Sequence, residues 1–189
     1  MTHSVVGVVK YAPKSYAHQK GLTCGEYNVR GILDGFSIPY QVPDSQRLRV
    51  RIFGLSFIND ISTLLQVHGL SAPVRYASKL ADNAKLKTVQ DHIDKDEPVL
   101  LAIGNGHLSR NLYSPIARIL IGHFITVYGY NTGKEIFYVY DPYLEGPYHE
   151  EIPVGNEVRT FGEFLRDWNG PFYYRFINMD HVYVPVSSK

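Results

Sequence analysis

Residues 122–142 read Gly122-His123-Phe124-Ile125-Thr126-Val127-Tyr128-Gly129-Tyr130-Asn131-Thr132-Gly133-Lys134-Glu135-Ile136-Phe137-Tyr138-Val139-Tyr140-Asp141-Pro142. Both arms are rich in β-branched and aromatic residues, which suit a pleated, half-buried backbone. Asn131 to Lys134 predicts a four-residue turn, so the arms are antiparallel neighbours. Pairing Tyr130 with Glu135 sets a register, and counting back places His123 roughly opposite Pro142 with Asp141 one step away. Opposed Cβ atoms in such a pair lie about 4.5–5.5 Å apart. The hairpin alone therefore brings an imidazole and a carboxylate within reach, give or take one residue of register.

Outward from the hairpin, Pro98 to Ile103 is a continuous apolar run that predicts a buried strand. Val5 to Val9 and Val74 to Ala77 predict short strands, and Phe172 to Ile177 and His181 to Val186 predict closing strands. Helical spacing marks residues 58–68 (Ile58, Ile61, Leu64, Leu65, closing at Gly69), a short helix from Thr88 to Ile93, and Thr160 to Trp168. Gln46 to Ile52 alternates arginine with apolar residues, an edge strand or amphipathic segment with a solvated arginine row. A helix-rich first half followed by an antiparallel second half argues an α+β fold.

Upstream, Gln19-Lys20-Gly21-Leu22-Thr23-Cys24-Gly25-Glu26 opens another helix, continued by Val29, Ile32, Leu33 and Phe36 and closed by Gly35 with Pro39. Thr23 followed three residues later by Glu26 has the form of a capping box, which makes Cys24 the first helical residue. A thiol there faces unpaired N–H groups and the positive end of the helix dipole, and both favour the thiolate. The plainer reading is a small buried apolar residue.

Composition narrows the classes. The chain has 189 residues, enough for one domain with a sizeable core, and no linker divides it. A formal net charge of +1 gives no argument for nucleic acid or an anionic membrane as the main partner, and neither is expected. One cysteine allows no disulfide framework and makes a structural zinc site implausible, and the histidines show no metal spacing. Gly104-Asn105-Gly106 is no phosphate cradle, because no helix start fits it. No cofactor or metal is expected. The N-terminal residues lack a secretory pattern, and the longest apolar run, Ile116 to Val127, carries Arg118 and His123. The expectation is a cytoplasmic protein without membrane insertion, a leaderless secretion route being left open.

Cys24, His123 and Asp141 together form a sufficient set for acyl transfer: a thiolate, a proton carrier and a carboxylate that orients it. The oxyanion needs two donors; the backbone N–H of Cys24 and the side-chain amide of Gln19 are candidates. Taken singly, His123 could be a core histidine, Asp141 a turn residue before Pro142, and Gln19 solvated.

These residues carry a resemblance. Over about residues 16–186 the chain resembles the papain-like cysteine peptidases, specifically the bacteriocin-processing (double-glycine leader) peptidases and their stand-alone relatives. The resembling segments are Gln19 with Cys24-Gly25, Ile61 to Ala77, Leu86 to Ile103, and Phe164-Leu165-Arg166-Asp167-Trp168. The most specific are Gly122-His123-Phe124 with Tyr128-Gly129-Tyr130 and Tyr138-Val139-Tyr140-Asp141-Pro142. The resemblance implies a papain-like fold in which an N-terminal helix carrying the cysteine packs on an antiparallel sheet carrying His and Asp. It implies Cys24 as nucleophile, His123 as general acid/base, Asp141 as the orienting member and Gln19 as oxyanion donor, with a peptide or protein substrate. The long connection from Gly104 to Ile121 is expected to shape the substrate site. A transglutaminase-like acyltransferase or deamidase would use the same triad, and a degenerate domain would only bind peptide.

Overall fold

The computed structural model describes residues 4–40, 57–144 and 152–189. The arginine-alternating segment 46–52 lies outside the described residues. In chain order the elements are β1 (Val6–Val8), α1 (Cys24–Gly35), α2 (Ile58–Val67), β2 (Leu70–Ser71), β3 (Arg75–Tyr76) and α3 (Asp82–Ile93). Then come β4 (Val99–Gly104), β5 (His107–Ser109), β6 (Leu112–Tyr113), α4 (Pro115–Leu120), β7 (Gly122–Asn131) and β8 (Ile136–Tyr140). The chain closes with β9 (Glu157–Thr160), α5 (Phe161–Trp168), a 3-10 segment (Phe172–Phe176), β10 (Val182–Pro185) and β11 (Ser187–Ser188).

The main sheet runs β3-β10-β4-β7-β8-β9, with β1 also pairing β7. Its centre is β7, whose length lets one edge serve two partners. β4 takes Gly122 to Val127 and β1 takes Gly129 to Asn131. The apolar run in β4 is buried throughout, as a strand covered on both faces requires. α1 packs against β7 and α2, with Val29, Ile32 and Leu33 fully buried at helical spacing. Burial of each such side chain stabilises by roughly 1.5–3 kcal/mol, so the helix is held to the sheet by its apolar stripe. An N-terminal helix bearing the cysteine thus lies on an antiparallel sheet bearing His and Asp, the α+β arrangement read from the sequence.

Four local expectations are corrected. Phe172–Phe176 is a 3-10 segment and not a strand; Pro171 leads into it, and only Tyr174 is buried while Phe172 and Phe176 face solvent. The helix expected from Thr88 begins at Asp82. Its buried face runs Lys85, Val89, Ile93, and Lys85 hides its stem while its ammonium reaches Asp82 at 3.0 Å. A lysine in the apolar stripe conceals the first turns from periodicity. The stretch 104–121 is no plain loop, since it carries the β5–β6 hairpin and α4.

The hairpin register also differs. Asn131 pairs with Ile136, and the turn is Thr132–Glu135. Asn131 Oδ1 accepts the Lys134 N–H at 3.0 Å, which nucleates the turn one residue later on each strand. The register then shifts between Val127 and Gly129, leaving Tyr128 as an inserted residue.

Candidate active site

Cys24 is the first residue of α1 and is half-buried. Thr23 is its N-cap, but the capping box does not form. Thr23 Oγ1 instead donates to Lys20 O at 2.7 Å, and Glu26 pairs with Arg30 one turn on. The leading N–H groups of α1 therefore have no side-chain acceptor from Thr23.

His123 is the second residue of β7 and Asp141 follows β8 directly. Both are almost fully buried, and His123 Nε2 donates to Asp141 Oδ1 at 2.7 Å. That bond leaves Nδ1 free of Asp141, and the imidazole and the Cys24 thiol line the same cleft, near enough for each to act on the other's charge. Burial pushes the Cys24 thiol up, yet the His123 charge and hydrogen bond, helped by the backbone at Phe124 and Gly25, bring it below its ordinary value. Burial pulls His123 down, and the charges of Asp141 and Cys24 overcome that and raise it to about 10. Burial likewise opposes ionisation of Asp141, but His123 and Arg159 hold its carboxyl down at about 2. All three shifts favour a thiolate–imidazolium–carboxylate row.

Three residues that the sequence reading passed over build the frame. Asn28, fully buried in α1, donates from Nδ2 to Cys24 O and Phe124 O, each at 2.8 Å, and its Oδ1 accepts from Thr126 Oγ1 at 2.6 Å. One side chain thereby ties the cysteine turn to the histidine strand. Asn156 clasps the Asp141 backbone, accepting its N–H at 2.8 Å and donating to its carbonyl at 2.9 Å. Arg159 on β9 donates from Nη2 to Asp141 Oδ2 at 2.9 Å, while the Tyr143 N–H reaches Oδ1 at 3.0 Å. Only the polar character of Asn28, one turn after Cys24 on an otherwise apolar face, signalled any of them in advance.

Gln19 is buried beside the cysteine. Its backbone N–H donates to Pro142 O at 2.7 Å, docking the entering loop on the Asp141 turn. Its Nε2 donates to Gly21 O at 2.7 Å, where Gly21 has a φ of 65°. Among the described residues one of its two amide hydrogens is thus used, and one is left over. Gln19 lines a cleft of ≈ 500 Å³ with Cys24 and His123. His18, Gln19, Gly21 and Leu22 form one part of the lining, Asn105 and Leu120 to Gly122 another, and Tyr143 and Tyr173 complete it. At Gly122 a Cβ would strike the Tyr174 hydroxyl, so the 3-10 segment packs directly on the strand end that presents His123. From the 104–121 excursion, Asn105, Leu120 and Ile121 reach this cleft, and the β5–β6 hairpin does not. Among the described residues no group of three or more His, Cys, Asp or Glu side chains is placed to hold a metal ion.

A cysteine at a helix start facing a His–Asp pair on an antiparallel sheet is the papain-like architecture. Residues 58–170 match the model of the Peptidase_C39 like family, and the chain belongs to that family. The matched span includes His123 and Asp141; Cys24 lies upstream of it. Two solved structures share the fold. One is a double glycine motif protease from an AMS/PCAT transporter in complex with the leader peptide, at 16% identity and TM-score 0.54, covering 98% of this chain and 99% of that one. The other, from Bacillus anthracis, is described as a C39-like peptidase, at 9% identity and TM-score 0.50, covering 97% and 98%. No match was found among curated protein sequences. Among the described residues no helix is long and apolar enough to cross a membrane.

Proposed function

We propose that the chain, as one domain over residues 1–189, is a thiol peptidase that cleaves a peptide or isopeptide amide through Cys24, His123 and Asp141. The observation that carries this reading is the placement of one imidazole between a thiol and a buried carboxylate, with the 2.7 Å bond to Asp141 holding its Nε2. The Cys24 thiolate attacks the carbonyl carbon and a C–S bond forms. The His123 imidazolium gives its proton to the leaving nitrogen as the C–N bond breaks. Water then attacks the thioester, yielding a proton to His123 and releasing the thiolate. The oxyanion would sit between the free Gln19 amide hydrogen and the Cys24 N–H. Membership of a peptidase family supports the substrate class, and so does the leader peptide bound by the similar protease. A cytoplasmic site of action fits the single unpaired thiol.

Two measurements test the reading. The first is the iodoacetamide labelling rate against pH, which in this chain reports Cys24 alone. The expected profile has its inflection well below the ~8.5 of a free thiol; a rate still climbing through pH 8–9 sinks the triad. The second is mass analysis of products from a peptide library. Chain scission supports the peptidase, whereas a gain of about one dalton or a cross-link would transfer the same triad to a deamidase or acyltransferase.

A further inference from the structure

Asp141 has two carboxylate oxygens and two cationic partners. Oδ1 accepts from His123 at 2.7 Å and Oδ2 accepts from Arg159 at 2.9 Å. Arg159 comes from β9, not from the elements that carry the triad, and it is as buried as His123. Its remaining hydrogen bond is from Nη1 to Val158 O at 3.2 Å, and its Nε meets no acceptor among the described residues. A buried guanidinium with an idle donor is costly. Here its hydrogen-bonded anion is Asp141, so it is spent on that carboxylate.

We propose that Arg159 is a positioning residue that sets the charge balance of the triad through Asp141, holding the carboxylate ionised and in plane while weakening its pull on the imidazolium proton. This role presupposes the triad proposed above. A buried carboxylate facing only His123 would grip the proton so firmly that the imidazolium would donate poorly to a leaving amine. A second cation on the far oxygen shares the negative charge. It also favours the thiolate, because it adds positive potential to a low-dielectric site.

Among the described residues the surroundings of Arg159 provide no competing explanation. From α5, Glu163 faces Arg159 and His107, but its carboxylate accepts from the Thr160 N–H and hydroxyl at 2.9 Å each. From β5, His107 faces Arg159, and burial and that guanidinium push it below its ordinary value, toward the neutral form, against the pull of Asp167, Asp141 and Glu163. On β9 itself, Glu157 is taken by Arg110 at 2.9 Å. Among the described residues, Asp141 is the neighbouring anion bonded to the guanidinium.

The test is the pH profile of Cys24 alkylation in Arg159→Gln, which removes the charge and keeps a polar side chain, and in Arg159→Lys, which restores the charge. Loss of the cation makes thiolate formation harder, so the Gln inflection should move upward by about half to one pH unit. The Lys inflection should return to within roughly 0.2 unit of the parent protein. A Gln profile that coincides with the parent, or Lys and Gln profiles equally displaced, overturns the proposal. Arg159→Met repeats the charge removal should the Gln variant fail to fold by circular dichroism. The parent profile distinguishes the two levels: a high inflection there removes the triad itself, whereas a low one that ignores residue 159 removes only this inference.

Discussion

Two buried aspartates in this molecule have almost the same company and opposite consequences. Asp141 faces His123 and Arg159; Asp167 faces His107 and Arg166. Around Asp141 the imidazole bond is 2.7 Å and the histidine is raised to about 10. Around Asp167 the imidazole stands off at 3.7 Å, and burial and the Arg159 charge lower His107 instead. The Tyr113 hydroxyl takes Asp167 Oδ1 at 2.8 Å and is itself pushed up to about 12 by burial and that carboxylate. Asp167 Oδ2 and His107 Nε2 are left without a hydrogen bond among the described residues. The difference teaches that His beside Asp is not a proton relay by itself. What distinguishes the first cluster is a thiol beside the imidazole and a cleft that both line; the second cluster clamps the β5–β6 hairpin to α5.

The comparison breaks most easily at the histidines. His123→Ala should slow Cys24 alkylation at pH 6 by on the order of tenfold to a hundredfold, since the thiol reverts toward its free value. His107→Ala should leave that rate within about twofold. Equal effects would mean that the thiol senses bulk charge and not a specific partner.

The next largest contrast is stability. Asp141→Asn strands the buried Arg159, a loss of about 3–5 kcal/mol by the usual measure for a broken buried pair. Asp167→Asn leaves Arg166, whose side chain is 42% exposed and can turn to water, and should cost about 1–2 kcal/mol. Urea unfolding of the two variants gives both numbers, and matching losses would erase the distinction.

Acid sharpens the same contrast. The Asp141 carboxyl falls from 3.8 unfolded to about 2 folded, so its contribution is present above about pH 4 and disappears as pH drops through 2. The shift corresponds to about 2 kcal/mol. The stability gap between the parent and Asp141→Asn should therefore narrow by that amount from pH 5 to pH 2. A gap that stays constant would show that the carboxylate is not held ionised by its partners.

The sequence disclosed the cast of the first cluster better than its staging. The hairpin reading set His123 opposite Pro142 with Asp141 one step away, although the turn sits one residue later on each strand and Tyr128 is inserted. The contact tolerates the slip because Asp141 lies past the end of β8, where Asn156 and not the β7 ladder fixes its backbone. Cys24 was legible as a helix start, but for a partly wrong reason. Thr-x-x-Glu forms a real capping box at Thr160 and Glu163. At Thr23 it fails because Lys20 O captures the hydroxyl and Arg30 captures the glutamate. Arg159 and Asn156 were invisible since a four-residue strand, Glu157-Val158-Arg159-Thr160, has too little periodicity to announce itself and its charged residues read as solvated. Their value comes entirely from long-range pairing with Asp141.

The smallest expected effect tests whether the two clusters are independent. Tyr113→Phe removes the hydroxyl that Asp167 accepts from and keeps the ring, over which the Arg166 guanidinium lies at 4.0 Å. Asp167 retains Arg166 at 3.2 Å, so the cost should be about 1–2 kcal/mol, measurable as an earlier urea midpoint. The alkylation profile of Cys24 should not move, because the hairpin contributes no lining to the cleft. Peptide preference is a separate matter. α4 follows the hairpin directly and delivers Leu120 to the cleft, with Ile121 next in the chain, so a looser clamp should weaken selection among substrates by a few-fold, on the order of 1 kcal/mol. A shifted thiol profile would join the two aspartate clusters into one electrostatic unit. An unshifted profile with altered preference would make the 104–121 excursion a device for substrate selection, acting through Leu120 and Ile121 and not through the charges behind them.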